Sequence, residues 1–231
     1  MKSHDWLSNV SDMMSGLMMI FLFVSISYML SVQKEKQSMR DIAFTYQRLQ
    51  KDLYKDLYTE FESDLPKWQA EIDSTDNTVT FNEPSILFES NSAALKTRFQ
   101  AILSEFFPRY LRILTSVKYK NDVQELRIEG HTSSDWEGTT SINNRYLNNA
   151  KLSQERAFNV LQFCFCLKET ETEKDFLTKV LRANGLSFAK PKFNSNGKEN
   201  YAMSRRVEFR VITKAEERIA KILEVSNGNS N

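Results

Sequence analysis

The chain has 231 residues, with 31 Lys and Arg against 30 Asp and Glu, and its formal net charge is only +1. That balance gives no electrostatic argument for nucleic-acid binding. The length suits one membrane span, a connecting segment and one domain of ordinary size.

Residues 6–32 read WLSNVSDMMSGLMMIFLFVSISYMLSV, an apolar run with one formal charge, Asp12. A bilayer core needs about 20 such residues in a helix, so the run predicts a transmembrane helix behind a short N-terminus, residues 1–5. An ionised aspartate in a helix centre costs about 2.5–3.5 kcal/mol on insertion scales, so such residues usually face a bundle interior and mark ion pathways. Asp12 is the first candidate for chemistry. A cleaved signal peptide fits less well, because the start is weakly charged and the first alanine is Ala43. The flanking charges, Lys2 before and Lys34, Lys36 and Arg40 after, weakly favour a cytoplasmic C-terminal part.

Residues 33–64 lack Gly, and their apolar positions Ile42, Tyr46, Leu49, Leu53, Leu57 and Phe61 recur at spacings of 4, 3, 4, 4 and 4. This predicts a helical linker closed by Pro66. Its stripe packs either on a second copy or on the chain's own C-terminal domain; periodicity does not choose between them.

From 65 to 225 the pattern predicts strands at Trp68–Ile72, Val79–Phe81, Ile86–Phe88, Val123–Ile128 and Arg206–Ile212, with a turn at Ser74–Asn77. Helices are predicted at Ala93–Val117, Leu152–Leu167, Glu173–Ala183 and Ala215–Leu223, with a polar loop from Gly130 to about Asn148. The result is an α+β domain with helices covering a sheet, followed by a disordered tail at 226–231. Cys164 and Cys166 would point apart on a helix, so they are expected as buried apolar residues or as a bridge to a second copy. His4 and His131 lack the spacing that zinc requires, which leaves no metal site in prospect. No phosphate-binding glycine loop and no nucleophile set is present, so no enzyme is expected.

Three motifs follow in order: LRIEGHT at Leu126–Thr132, LSQERA at Leu152–Ala157 and SRRVE at Ser204–Glu208. Together, across residues 78–213, they resemble the OmpA-like peptidoglycan-binding domain, an α/β sandwich. The resemblance implies that a loop aspartate and a helix arginine grip the zwitterionic end of a stem peptide, a fork-to-carboxylate contact in the arginine's case. Carried across, Arg156 matches the arginine, Asn149 the asparagine four positions before Ser153, and Leu152 and Ser153 the helix opening. Arg206 matches the second arginine of the late strand. Ser133 stands where the family has aspartate, so either Asp135 takes over that role or the ammonium contact is lost, and Ser204 replaces an asparagine.

With Trp6 six residues before Asp12, and Met13, Met14 and Gly16 after it, the whole chain resembles MotB-type stator subunits of ion-driven motors. This implies a homodimer inside a MotA-like ring in a five-to-two ratio, with no resident cofactor and with protons, or alternatively sodium ions, passing through Asp12. It also implies an inner-membrane position with the N-terminus cytoplasmic and the domain periplasmic, against the flanking-charge bias. The loop GHTSSDW before LSQERA looks closest to B subunits of Zorya anti-phage defence systems. A flagellar-type stator subunit and a passive cell-wall tether are the alternatives.

Overall fold

Helical periodicity persists well past the apolar run. In the computed structural model a single helix, α1, extends from Ser3 to Phe61. The structure describes residues 3–82, 87–89, 92–136, 138 and 141–214, with side chains from residue 10 onward. The chain divides into two units, the first holding α1 through Thr45 and the second beginning at Tyr46. Among the described residues, α1 is the one helix long and apolar enough to cross a membrane.

The second unit is built on a five-stranded sheet, ordered β1-β2-β5-β3-β4: β1 Ala70–Ile72, β2 Val79–Phe81, β3 Val123–Gly130, β4 Leu181–Gly185 and β5 Val207–Thr213. All neighbours are antiparallel except β3 and β4, which run parallel. A parallel pair needs a crossover. It is supplied by α4 (Ile142–Phe165), a 3₁₀ turn (Lys168–Glu173) and α5 (Lys174–Val180). Alternation sends Val79, Phe81, Leu126, Ile128, Val207, Phe209 and Val211 into the core. The opposite parity carries Thr80, Glu129, Glu208 and Arg210.

On the apolar face, α3 (Thr97–Leu114) buries Phe99, Leu103, Phe106, Phe107, Tyr110, Leu111 and Leu114, a 3–4 spacing that makes one helix face. Phe106 is the hub, its ring centroid 5.1 Å from each of Phe61, Phe81 and Phe209. Leu53, Leu57 and Phe61 of α1 are buried in the same core. The lower end of the linker stripe is therefore taken up by the chain's own domain. Arg109 fastens this junction: Nε donates to Glu60 Oε1 at 2.7 Å, Nη1 to Asp64 Oδ2 at 2.9 Å, and Nη2 to the Glu60 carbonyl at 2.6 Å. Its guanidinium also lies 4.9 Å from the centroid of the Phe61 ring.

Several boundaries differ from the sequence expectation. Pro66 does not close α1; it sits in the first turn of a short helix, α2 (Leu65–Trp68), where its missing N–H is not needed. The expected strand at Trp68–Ile72 is shortened accordingly to β1. The strand expected at Ile86–Phe88 is represented by one bridge, Phe88 to Leu95, and Ile86 lies outside the described residues. The helix expected over Glu173–Ala183 stops at Val180, and Leu181–Gly185 pairs with β3 instead. Ala183, Asn184 and Gly185 are poor strand formers, so register with β3 overrides local preference there. The polar loop ends early, because α4 starts at Ile142 despite its asparagines. A further short helix, α6 (Tyr201–Ser204), precedes β5. The helix expected at Ala215–Leu223 and the tail at 226–231 lie outside the described residues.

Where α4 crosses the ends of β3 and β4 the backbones nearly touch. A Cβ on Gly130 would lie 2.3 Å from the Ser153 carbonyl oxygen, and one on Gly185 would lie 2.4 Å from the Gln154 nitrogen. Gly130→Ala and Gly185→Ala should each lower unfolding stability by about 1–3 kcal/mol in urea titration. Val117→Ala, at a residue 98% exposed, should change it by less than about 0.5 kcal/mol. The hydrogen bond from Arg109 holds the Asp64 carboxyl below its ordinary value of 3.8, outweighing the opposing effect of burial, with Lys67 helping. A depressed carboxylate stabilises above its unfolded value and loses that contribution as pH falls through the lower folded one. Arg109→Met should therefore cost about 1.5–3 kcal/mol near neutral pH and flatten the decline in stability below about pH 4, read from chemical-denaturation midpoints.

Candidate functional site

The site residues expected from the sequence fall in both units. In the first unit, Asp12 is exposed on α1, and no ion pair to it forms among the described residues. One turn on, the Ser15 hydroxyl donates to the Ser11 carbonyl at 2.9 Å and so turns back on its own helix. Met13, Met14, Leu17, Met18 and Met19 surround this position and are all exposed. A carboxylate set in such a surface has its charge opposed by any apolar surroundings and favoured only by partners brought to it.

In the second unit, the site forms where the loop after β3 meets α4. Asn149, Ser153 and Arg156, spaced by four and three, share the buried face of α4. Asn149 donates to the Asp135 carbonyl at 3.3 Å, tying the loop to the helix. Ser153 Oγ donates to the Ala150 carbonyl and accepts from Ser187 N, each at 3.0 Å. Ser187, in a left-handed conformation at φ 51°, accepts from Thr132 N at 2.9 Å through its carbonyl. The GHT loop, α4 and the segment after β4 are thus stitched into one frame. Ser133 is buried there, Leu152 is half-buried and Asp135 is exposed.

Arg156 lies at the base of this frame and is 8% exposed. Its Nε donates to the Ser92 carbonyl at 3.0 Å, and its guanidinium lies 4.7 Å from the centroid of the Phe88 ring. No ion pair to it forms among the described residues. Burial, and then the charge of Arg205, bring its pKa down to about 10. It stays cationic at neutral pH and carries donors that no described residue takes up, so the arrangement suits an arriving carboxylate.

Arg206 does not join it. It shares the parity of Glu208, on the far face of the sheet, where Nε donates to Glu208 Oε1 at 2.6 Å and Nη1 to the Lys190 carbonyl at 3.2 Å. Arg205, on the core-side parity, is the arginine whose charge reaches Arg156, and the motif-based reading missed it. The alternation of VEFRVI could have found it, because Arg205 is in step with Val207 and Phe209. His131 is likewise on the far face, with Nε2 3.2 Å from Glu208 Oε2. Burial would raise the Glu208 carboxyl, but the hydrogen bond to His131, with Arg206, pulls it down to about 2. Another carboxylate also reaches the loop: Glu199 accepts from Ser134 N at 3.1 Å and from Ser134 Oγ at 2.5 Å. Cys164 is buried and Cys166 exposed, both as free thiols.

No family model matches the chain. It is 44% identical over 219 residues to Zorya protein ZorB of Escherichia coli strain Crooks, covering 95% of this chain and 92% of that protein. A second Zorya protein ZorB, from Escherichia coli O139:H28 strain E24377A, is 28% identical over 222 residues, or 89% of this chain and 79% of that protein. Among solved structures, a MotB-like protein from Desulfovibrio vulgaris superposes with a TM-score of 0.53 at 21% identity, over 76% of this chain and 99% of that one. At that identity the likeness speaks for the α+β fold alone. The match to ZorB at 44% identity, spanning nearly the whole of both chains, carries the assignment: this chain belongs to the Zorya protein ZorB family.

Proposed function

We propose that this chain is the ion-conducting, wall-anchoring B subunit of a MotA–MotB-like motor in the bacterial inner membrane, serving anti-phage defence. The observation that carries the reading is Asp12, the single formal charge between Trp6 and Val32. In apolar surroundings, protonation removes most of the desolvation penalty of a carboxylate, so the charge state of Asp12 biases how α1 sits against its neighbours. A proton taken up from one side and released to the other gains about 2.3 kcal/mol per 100 mV, which the assembly converts into movement. Two copies of the chain would stand inside a ring of five larger subunits, with N-termini in the cytoplasm and the sheet domain in the periplasm.

Arg156 is the wall contact on this reading. A buried guanidinium without an acidic partner among the described residues offers paired donors to the free carboxylate of a stem peptide. Arg205 adds positive charge at the same place, while Asp135 and Glu199 border the loop where an ammonium would sit.

Asp12→Asn should abolish proton flux in vesicles that carry the partner ring, while co-purification of the ring stays intact; unchanged flux would falsify ion conduction through this residue. Arg156→Ala should weaken co-sedimentation with purified sacculi by roughly tenfold or more, the loss expected for a charge-assisted contact. Arg206→Lys should leave sacculus binding near the wild-type level. Equal binding by the Arg156→Ala protein would move the contact elsewhere on the domain.

A further inference from the structure

Beyond Asp12 and Arg156, charge also gathers on the far face of the sheet. There, Glu129 of β3 and Glu208 of β5 are paired directly across the ladder. They point to the same face, and they are 3% and 8% exposed. Two carboxylates opposed in this way destabilise a sheet, and burial magnifies the cost. Strand parity adds His131 to the same face, two residues beyond Glu129.

We propose that Glu129, His131 and Glu208 bind one divalent transition-metal ion of the zinc class. His131 Nε2 lies 3.2 Å from Glu208 Oε2 and 3.8 Å from Glu129 Oε2. One ligand atom from each residue falls within 4.8 Å of the others. Metal–ligand bonds of about 2.0–2.2 Å in a tetrahedral arrangement place ligand atoms roughly 3.3 Å apart, so small side-chain adjustments close the set. One imidazole with two carboxylates suits zinc or a similar ion, with water completing the shell.

Two further observations point the same way. Glu129 Oε2 is buried, faces His131 Nε2 and has no hydrogen-bond partner among the described residues; Lys190 Nζ is 4.0 Å away and half exposed. A carboxylate oxygen held this way lacks a partner that a cation would supply. Arg206 meanwhile occupies Glu208 Oε1 at 2.6 Å. That contact fixes the carboxylate, the part an outer hydrogen bond plays around a metal ligand, and turns Oε2 toward His131 Nε2, whose hydrogen bond the ion would replace. A cleft of about 530 Å³, lined by Lys190, Thr80, Arg206 and Glu208, borders the set at Glu208. The competing occupant is a proton alone, with an imidazolium at His131 between the two carboxylates.

The test uses the tag-free full-length chain in detergent, stripped with chelator and titrated with Zn²⁺ by calorimetry, with Co²⁺ as a spectroscopic probe. One equivalent of Zn²⁺ should bind per chain, and Co²⁺ should give a visible absorption band of tetrahedral type. Free Zn²⁺ at about 100 times Kd should raise Tm by roughly 5 °C or more. Glu129→Gln should weaken Zn²⁺ binding at least tenfold while leaving the metal-free Tm unchanged or higher, because it relieves the opposed charges. His131→Asn should weaken binding similarly. Absence of binding overturns the proposal, as does equal affinity in the wild type and Glu129→Gln. So does a His131 imidazole whose NMR titration is untouched by Zn²⁺, which would leave the proton as the occupant. None of these outcomes depends on ion flux through Asp12 or on wall binding by Arg156.

Discussion

The near-contact of α4 with the ends of β3 and β4 sets the geometry on which the candidate wall site depends. Gly130 and Gly185 let the helix backbone come within a distance that any side chain would deny it. With the axis so close, Ser153 Oγ reaches the backbone after β4, and Gln154 clamps β4 itself, its Oε1 accepting from Gly185 N at 2.7 Å. The helix then cannot slide along the sheet without breaking both. Arg156 sits one turn farther along the same face, so its depth follows from that crossing. Leu53, Leu57, Phe61 and Phe106 fix the other half of the core, and α1 enters the domain as a core element.

Arg156 is costly where it stands. A guanidinium at 8% exposure, supported by a carbonyl and an aromatic face, keeps donors that the described part of the fold leaves unmatched by acid. Pairing it internally would have stabilised the domain and closed the site. On the proposed function, the missing carboxylate arrives with the stem peptide, and the fold has already met the cost of holding the arginine still, so less ordering remains for binding.

Much of this was legible in the sequence. The apolar run with Asp12, the linker stripe and the alternation of VEFRVI each specify an element through local pattern, and the structure has a helix or strand at each. What stayed hidden depends on partners distant in sequence. Leu181–Gly185 is a strand because β3 lies beside it, and its own residues argue otherwise. α4 begins at Ile142 although asparagines are weak helix formers, because Asn149 and Tyr146 find partners in the loop and after β4. The motif match named Arg206, whereas parity would have chosen Arg205. The opposition of Glu129 to Glu208 is a matter of register, which no single strand reveals.

Three charged side chains therefore share one condition. Among the described residues, Asp12 lies in an apolar surface with no ion pair, Arg156 is buried without an acidic partner, and Glu129 keeps an unpartnered buried oxygen. Evolution readily replaces such groups when they serve stability alone, since an apolar residue of similar size often performs as well or better. Their presence makes sense if each is completed from outside the chain: a proton and a ring of partner helices for Asp12, a carboxylate for Arg156, a cation for Glu129. A free chain would then be under-satisfied at these positions, and assembly in the membrane and at the wall would supply what folding alone leaves open.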